Sequence, residues 1–216
     1  MISNLNLLPD PINPSPDLTG SHRYFIGREN WPGVSEILQS AGLIDLSKIP
    51  PDRLEYARVR GTAVHLACHY YDLGILNWDS VDPVISGYVR SYVAFIGHTD
   101  YRVLGSELSL TSKIWRFCGT LDRIAEINKV PSIVDLKTAL ISRPVTKLQT
   151  AGYHILANDN FPELKTRKRF ELKLFEDGSI GELIPFNDLE ADIQTFLWAV
   201  SLHHWKIKNL KQEALT

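Results

Sequence analysis

The chain contains little cysteine, since Cys68 and Cys118 are the two cysteines among its 216 residues. Two cysteines cannot form a disulfide framework or a four-cysteine metal cluster, and they favour a reduced, cytoplasmic setting. The sequence also lacks an apolar run of the roughly 20 residues that a membrane-spanning helix requires. Its first residues have neither a positively charged start nor a long apolar core. We therefore expect neither a secretory signal nor membrane attachment.

Neither sign of charge dominates, because the chain has 23 Lys and Arg residues and 25 Asp and Glu residues, for a net charge of -2. This balance excludes a strongly basic, histone-like nucleic-acid binder, but it allows a DNA enzyme whose acidic site is offset by metal ions. A hydrophobic content of 44% and a charged content of 22% are ordinary for a globular domain. Four prolines near the start predict an extended or mobile arm over residues 1–22, followed by a single domain over 23–216.

Hydrophobic periodicity and turn residues predict a mixed order of elements. Helices are expected near 31–42 and over 51–73, 82–98, 144–157 and 187–209, with strands over 101–111, 115–127, 132–138, 167–175 and 179–186. We expect Asp52 to cap the second helix and Asp177-Gly178 to mark a hairpin between the last two strands. The simplest packing is an α/β (mixed α+β) fold with a central mixed sheet of about five strands flanked by helices.

The most informative stretch is Gly119–Thr138, which places Asp122 in one apolar segment and Asp135 and Lys137 in the next. Since side chains alternate along a strand, Asp135 and Lys137 project on the same face. A solvent-facing ion pair on an edge strand is the alternative, but the apolar flanks favour a central strand. Two carboxylates beside a lysine indicate a divalent metal and an activated water, a site for cutting phosphodiesters.

Two further side chains are candidates for the same site. Glu107 lies in a strand-like run and is either an exposed glutamate or another carboxylate aimed at the metal. His65 follows Gly61 and Thr62 on the long helix, which leaves room for a phosphate or a backbone to approach. His69 gives a His-x-x-x-His spacing, but Leu66 stands where a zinc protease needs glutamate, so we expect His69 to be structural.

Substrate contacts are predicted further along the chain. Gln149 and Tyr153 share a helix face, which is either the edge of the core or a pair that reaches the active site. Arg143 and Lys147 are placed to touch backbone phosphates. The basic run 165–169 is either a solvated face or an electrostatic track for DNA.

In this order, the motifs resemble the RecB-like branch of the PD-(D/E)xK nuclease superfamily, in its compact, stand-alone phage or bacterial form. The matching segments are Gly61–His65, Glu107, Gly119–Asp122, Ile133–Thr138 and Gln149–Tyr153. The resemblance implies a restriction-endonuclease-like core in which His65, Asp122 and Asp135 hold one or two Mg²⁺ or Mn²⁺ ions. It also implies catalytic roles for Asp122, Asp135 and Lys137, and for Glu107, which matches an acidic position that varies among relatives. Gln149 and Tyr153 would contact the substrate or position the lysine. Related nucleases that carry an iron–sulfur cluster use four cysteines, so no cluster is expected here.

The expected function is therefore metal-dependent hydrolysis of DNA, by an exonuclease acting on ends or single strands in recombination, repair or replication. A structure-specific or restriction-like endonuclease is one alternative, because its chemistry is the same. A catalytically inactive DNA-binding or assembly module is another, although such a module would be expected to lose the lysine or a carboxylate. The expected partners are DNA and a separate helicase or annealing protein, in the cytoplasm of a bacterium or a phage-infected host.

Overall fold

The computed structural model describes residues 15–16, 22–139 and 144–213. The strands in this part of the chain are β1 Ser15–Pro16, β2 His22–Ile26, β3 Glu29–Trp31, β4 Tyr101–Ser112, β5 Phe117–Ile127, β6 Val130–Lys137, β7 Lys168–Lys173 and β8 Glu182–Pro185. The α-helices are α1 Val34–Ser40, α2 Pro51–Asp72, α3 Pro83–His98, α4 Val145–Asn160 and α5 Leu189–Glu213.

A five-stranded mixed sheet forms the centre of the molecule, in the order β4-β5-β6-β7-β8. Neighbouring strands are antiparallel except β6 and β7, which are parallel and are joined through α4. A parallel pair needs such a crossover connection, whereas antiparallel neighbours can be joined by a tight turn. The predicted fold class, a mixed sheet of five strands flanked by helices, is confirmed.

The long β4-β5-β6 meander is shaped by local turn chemistry. Asn128 and Lys129 have φ angles of 49° and 64°, the left-handed conformation that a two-residue hairpin turn requires. The next strand begins at Val130, two residues before the start predicted for it at residue 132. The turn places the start of β6 against the end of β5, with Ile127 opposite Val130.

Apolar clusters cover both faces of the sheet. On one face α1, α4 and α5 bury a core around Leu110, Phe117, Leu156 and Phe196. On the other, α2 and α3 bury a second core that includes Val64, Tyr92, Leu136 and Leu172. The central strands are therefore covered on both sides, and charged residues within them, such as Asp122, Arg123 and Asp135, are buried.

Helix starts follow the expected signals in one case and depart from them in another. Asp82 caps α3, its carboxylate accepting a hydrogen bond from the Val84 N–H at 2.8 Å. Asp52 does not cap α2: Pro50 occupies the cap position, Pro51 begins the helix, and Asp52 lies in the first turn. Proline at the first helical position supplies the helical φ angle and removes one N–H group that would have no partner inside the helix.

The last two strands pair as an antiparallel hairpin, but their connection spans residues 174–181 and is longer than predicted. Glu176 and Asp177 form a turn inside it, which the Gly178 N–H closes by donating to the Phe175 carbonyl oxygen at 3.3 Å. The Asp177 carboxylate accepts from the Ser179 N–H at 2.9 Å. The connection crosses α3 at Gly87, where a Cβ would lie 1.6 Å from the Glu176 carbonyl oxygen. This close approach of α3 and the connection requires glycine.

A small second sheet, β1-β2-β3, was not predicted from the sequence. Of the predicted N-terminal arm, Ser15, Pro16 and His22 are described, and Ser15 and Pro16 pair with Arg23 and His22. In the described part of the chain, no helix combines the length and the apolar character needed to cross a bilayer.

Candidate active site

Three side chains from three elements converge at one point of the sheet: His65 from α2, Glu107 from β4 and Asp122 from β5. The His65 Nδ1 atom lies 3.4 Å from Asp122 Oδ1 and 3.8 Å from Glu107 Oε1. One ligand atom from each residue lies within 4.8 Å of the other two. An imidazole nitrogen and two carboxylate oxygens at this spacing form a donor set for a divalent cation.

The orientation of the imidazole ring fits a bound cation. His65 Nε2 lies 3.1 Å from the Leu136 carbonyl oxygen, which can only accept, so Nε2 carries the hydrogen. In the neutral ring Nδ1 then presents its lone pair to the two carboxylates. A histidine ligand whose other nitrogen donates to a backbone carbonyl is the usual arrangement in metal sites. A proton or a metal ion at Nδ1 would relieve the repulsion between this lone pair and the carboxylate oxygens.

The charges of the group reinforce one another. Burial lowers the pKa of His65, but the Asp122 and Glu107 carboxylates outweigh it and raise that pKa to about 8. Burial raises the pKa of Asp122, but the combined influences of His65, Lys137 and the Leu136 N–H outweigh it and lower that pKa to about 2. Burial and the neighbouring Asp122 both raise the pKa of Glu107. The group therefore favours positive charge at its centre.

The position of Asp122 follows from the way β5 and β6 separate. The last ladder pair toward the site is Arg123 with Val134. Beyond that pair, Asp122 Oδ2 accepts the Leu136 N–H at 2.7 Å, so a side chain satisfies a backbone donor of β6. This bond fixes the carboxylate and leaves Oδ1 directed at His65.

A second set of polar side chains lies beside the first, on the α4 side of β6. Lys137 Nζ lies 2.5 Å from Asp135 Oδ2 and donates to Gln149 Oε1 at 3.4 Å. Gln149 Nε2 in turn donates to the Tyr153 hydroxyl at 2.9 Å. The predicted shared face of Asp135 and Lys137, and that of Gln149 and Tyr153, are thus confirmed, and the two pairs are in contact.

The lysine in this set keeps its charge. Burial lowers the pKa of Lys137, but Asp135 and Asp122 outweigh it and raise that pKa, with a smaller contribution from Glu171. Burial raises the pKa of Asp135 to about 6, with Lys137 opposing the rise and Asp122 adding to it. At neutral pH the pair is thus an ammonium facing a carboxylate.

Asp135, expected to bind metal with His65 and Asp122, instead pairs with Lys137, and the tight ligand group among the described residues contains Glu107 in its place. The Asp122 charge contributes to the raised pKa of Asp135. A ligand role for Asp135 stays a prediction. His69 lies outside this ligand group, and its Nδ1 lies 2.6 Å from the Ser106 hydroxyl oxygen, a contact that fits the structural role expected for it.

The predicted phosphate contacts have mixed outcomes. Lys147 is exposed on α4, where its side chain can reach solvent. Arg143 lies outside the described residues. In the basic run 165–169, Lys165, Arg167 and Lys168 are exposed, whereas Arg169 is 1% exposed and its guanidinium lies 2.6 Å from Asp192 Oδ2. The buried, paired Arg169 is therefore not part of the exposed basic surface. The role of the three exposed residues, as a solvated face or as an electrostatic track, stays a prediction.

Two buried charged residues near the site were missed by sequence reasoning. Arg123 follows Asp122 directly and contacts Glu107. Glu171 on β7 is paired in register with Asp135 on β6 and is fully buried. A signal for Glu171 was present, because Glu171-Leu-Lys173 repeats the acid-x-lysine spacing of β6.

The fold and the site define a mixed α/β protein with a partly buried His–Glu–Asp group next to a lysine–carboxylate pair. No protein-family model matches the chain, and no curated protein matches it significantly. The family indicated by the ordered motifs therefore stays a prediction.

Proposed function

We propose that this protein is a metal-dependent nuclease of the RecB-like PD-(D/E)xK type that hydrolyses phosphodiester bonds of DNA, as an exonuclease acting on ends or single strands. The observation that carries the proposal is the position of Lys137. Its ammonium group is held between Asp135 and Gln149, next to the group formed by His65, Glu107 and Asp122. That juxtaposition supports the ordered sequence motifs independently of their spacing.

The cation would be Mg²⁺ or Mn²⁺, held by His65, Glu107 and Asp122, with Asp135 as a further candidate ligand. When bound, the ion supplies Lewis acidity for the attack of water on phosphorus. Carboxylate oxygens are preferred by both ions, and the imidazole nitrogen favours the softer Mn²⁺ of the two.

Lys137 would act as a fixed positive charge. Because the neighbouring carboxylates raise its pKa, the ammonium keeps its proton at neutral pH and serves poorly as a general base. It would instead donate a hydrogen bond to the attacking water or to a phosphate oxygen and stabilise the charge that develops there. Gln149 would hold the ammonium in place, and Tyr153 would hold Gln149.

The test is digestion of end-labelled linear DNA and circular DNA, single- and double-stranded, with Mg²⁺, Mn²⁺ or EDTA and with an RNA control. We expect shortening of linear DNA that EDTA abolishes and that Lys137→Ala reduces by about 100-fold or more. Lys113→Ala is the matched control, since Lys113 is an exposed lysine at the turn between β4 and β5, and it should cleave like the wild type.

Other outcomes would separate the alternatives. Cutting of circular DNA would assign an endonuclease to the same site. Cleavage of the RNA control alone would change the substrate class. Cleavage that does not depend on metal would contradict the assignment of the activity to this site. An equal loss of cleavage in Lys137→Ala and Lys113→Ala would contradict it as well. If no nucleic acid is cleaved under any condition, the protein is a binding or assembly module.

A further inference from the structure

Arg123 connects the candidate ligand group to the rest of the fold. Its side chain is fully buried and contacts residues of four elements. Nε lies 2.6 Å from Asp72 Oδ2 on α2 and 3.3 Å from the Tyr92 hydroxyl on α3. Nη1 donates to Glu107 Oε1 at 3.1 Å and to the Asp122 carbonyl oxygen at 2.6 Å. A single guanidinium thus joins Asp72 on α2 and Tyr92 on α3 to the Glu107 carboxylate and to the Asp122 backbone.

Glu107 has a backbone conformation that needs such support. Its φ angle is 54°, although it lies inside β4, where Ser106 pairs with Arg123 and Leu108 with Leu121. For a residue other than glycine, the left-handed conformation costs roughly 1–2 kcal/mol. Strained residues of this kind cluster at functional sites, where surrounding contacts hold them. The Arg123 hydrogen bond is a contact that holds Glu107 with its carboxylate next to His65.

The guanidinium is itself held on the side away from Glu107. Asp72 Oδ1 accepts the Tyr92 hydroxyl at 2.7 Å, and Asp72 Oδ2 faces Arg123 Nε. The planar guanidinium can therefore contact Asp72 and Glu107 at the same time. A lysine ammonium is a point charge on a flexible chain and cannot reproduce both contacts.

We propose that Arg123 is a positioning residue that orients the Glu107 carboxylate toward a cation at His65 and Asp122, and so sets the affinity of the site for divalent ions. This inference rests on the proposed function, because it requires that the His65–Glu107–Asp122 group binds a cation. Arg123 would thus control the affinity for divalent ions without being a ligand itself. Partners that orient metal ligands commonly change metal affinity by about 10- to 100-fold.

The test measures Mn²⁺ binding to the full chain by the loss of the free-ion electron paramagnetic resonance signal, with circular dichroism to confirm folding. Arg123→Lys should bind Mn²⁺ at least about tenfold more weakly than the wild type. The same substitution is then made in a Glu107→Gly background, which removes the carboxylate and tolerates the left-handed φ angle. If Arg123 acts through Glu107, the Arg123→Lys substitution should change Mn²⁺ affinity by less than about twofold in the Glu107→Gly background.

If Arg123→Lys does not fold, Tyr92→Phe replaces it in both backgrounds, since it removes the hydroxyl next to Asp72 and Arg123 but keeps the ring. A weakening of Mn²⁺ binding that disappears in the Glu107→Gly background supports the proposal. Equal weakening in both backgrounds, or wild-type affinity in both, overturns it and leaves the nuclease proposal standing. A wild-type protein that binds no Mn²⁺ overturns both the cation site and the role of Arg123.

Discussion

Replacing His154 by glutamine should remove a large part of the pH dependence of stability between pH 8 and pH 5. His154 lies on α4 and is 9% exposed. Its Nε2 lies 3.0 Å from Asn158 Nδ2 and accepts that amide hydrogen, so the Nδ1 hydrogen is directed at the Thr166 hydroxyl oxygen, 3.1 Å away. Burial, and secondarily the nearby Arg169 charge, lower the pKa of His154 from 6.5 to about 4. Both nitrogens are therefore used in the neutral ring, and a second proton would break the contact with Asn158.

The sign and the magnitude follow from linkage. Below pH 6.5 the unfolded chain takes up a proton at this position that the folded protein takes up only near pH 4. Stability from His154 is therefore complete above pH 6.5 and is lost as the pH falls toward 4. At about 1.4 kcal/mol for each pH unit, the whole interval is worth about 3 kcal/mol, of which about 2 kcal/mol is lost by pH 5.

Urea unfolding followed by circular dichroism at pH 8 and pH 5 measures this contribution. The free energy of unfolding should fall between the two pH values by about 2 kcal/mol more in the wild type than in His154→Gln. Other titrating groups, such as His65 with its raised pKa, are present in both proteins and cancel in the comparison. A difference below about 0.5 kcal/mol would show that His154 is protonated in the folded protein without cost, and would refute the reasoning.

Two further predictions concern the lysine-holding side chains and the packing of α3. Tyr153→Phe removes the hydroxyl that accepts a hydrogen bond from Gln149. The substitution should lower the rate of DNA cleavage by about tenfold and leave Mn²⁺ affinity unchanged. An unchanged rate would show that Gln149 holds its position without the hydroxyl. Gly87→Ala should destabilise the protein by about 3 kcal/mol or more in urea unfolding, because its Cβ meets the backbone carbonyl of Glu176. Gly97→Ala on the same helix has open space and should be neutral or stabilising by up to about 1 kcal/mol, so equal effects of the two alanines would contradict this account.

Local patterns were sufficient to predict most of the fold. Apolar periodicity located the five helices and the five strands of the central sheet, and Asp82 caps α3 as an aspartate before a helix is expected to do. These features depend on residues close together in sequence. The N-terminal β1-β2-β3 sheet escaped prediction, because its strands are two to five residues long and too short for a periodic signal.

Within the candidate site, the sequence was sufficient to identify most of the residues but not the contacts between them. Asp122, Asp135 and Lys137 were recognised from charges inside apolar strands, where burial demands a partner. Which carboxylate joins His65 depended on the left-handed backbone of Glu107 and on the attraction of Lys137 for Asp135. Neither is a property of a residue type or of its spacing.

The sequence by itself determined the order of the elements, the alternation that puts Asp135 and Lys137 on one face, and the helical spacing that aligns Gln149 with Tyr153. Only the tertiary structure decided that Glu107 approaches His65, and that Arg123 links that group to α2 and α3. Local order follows from steric and hydrogen-bonding rules over a few residues. Contacts between distant segments depend instead on strand register and on how buried charges find partners, which are set by the whole packed molecule.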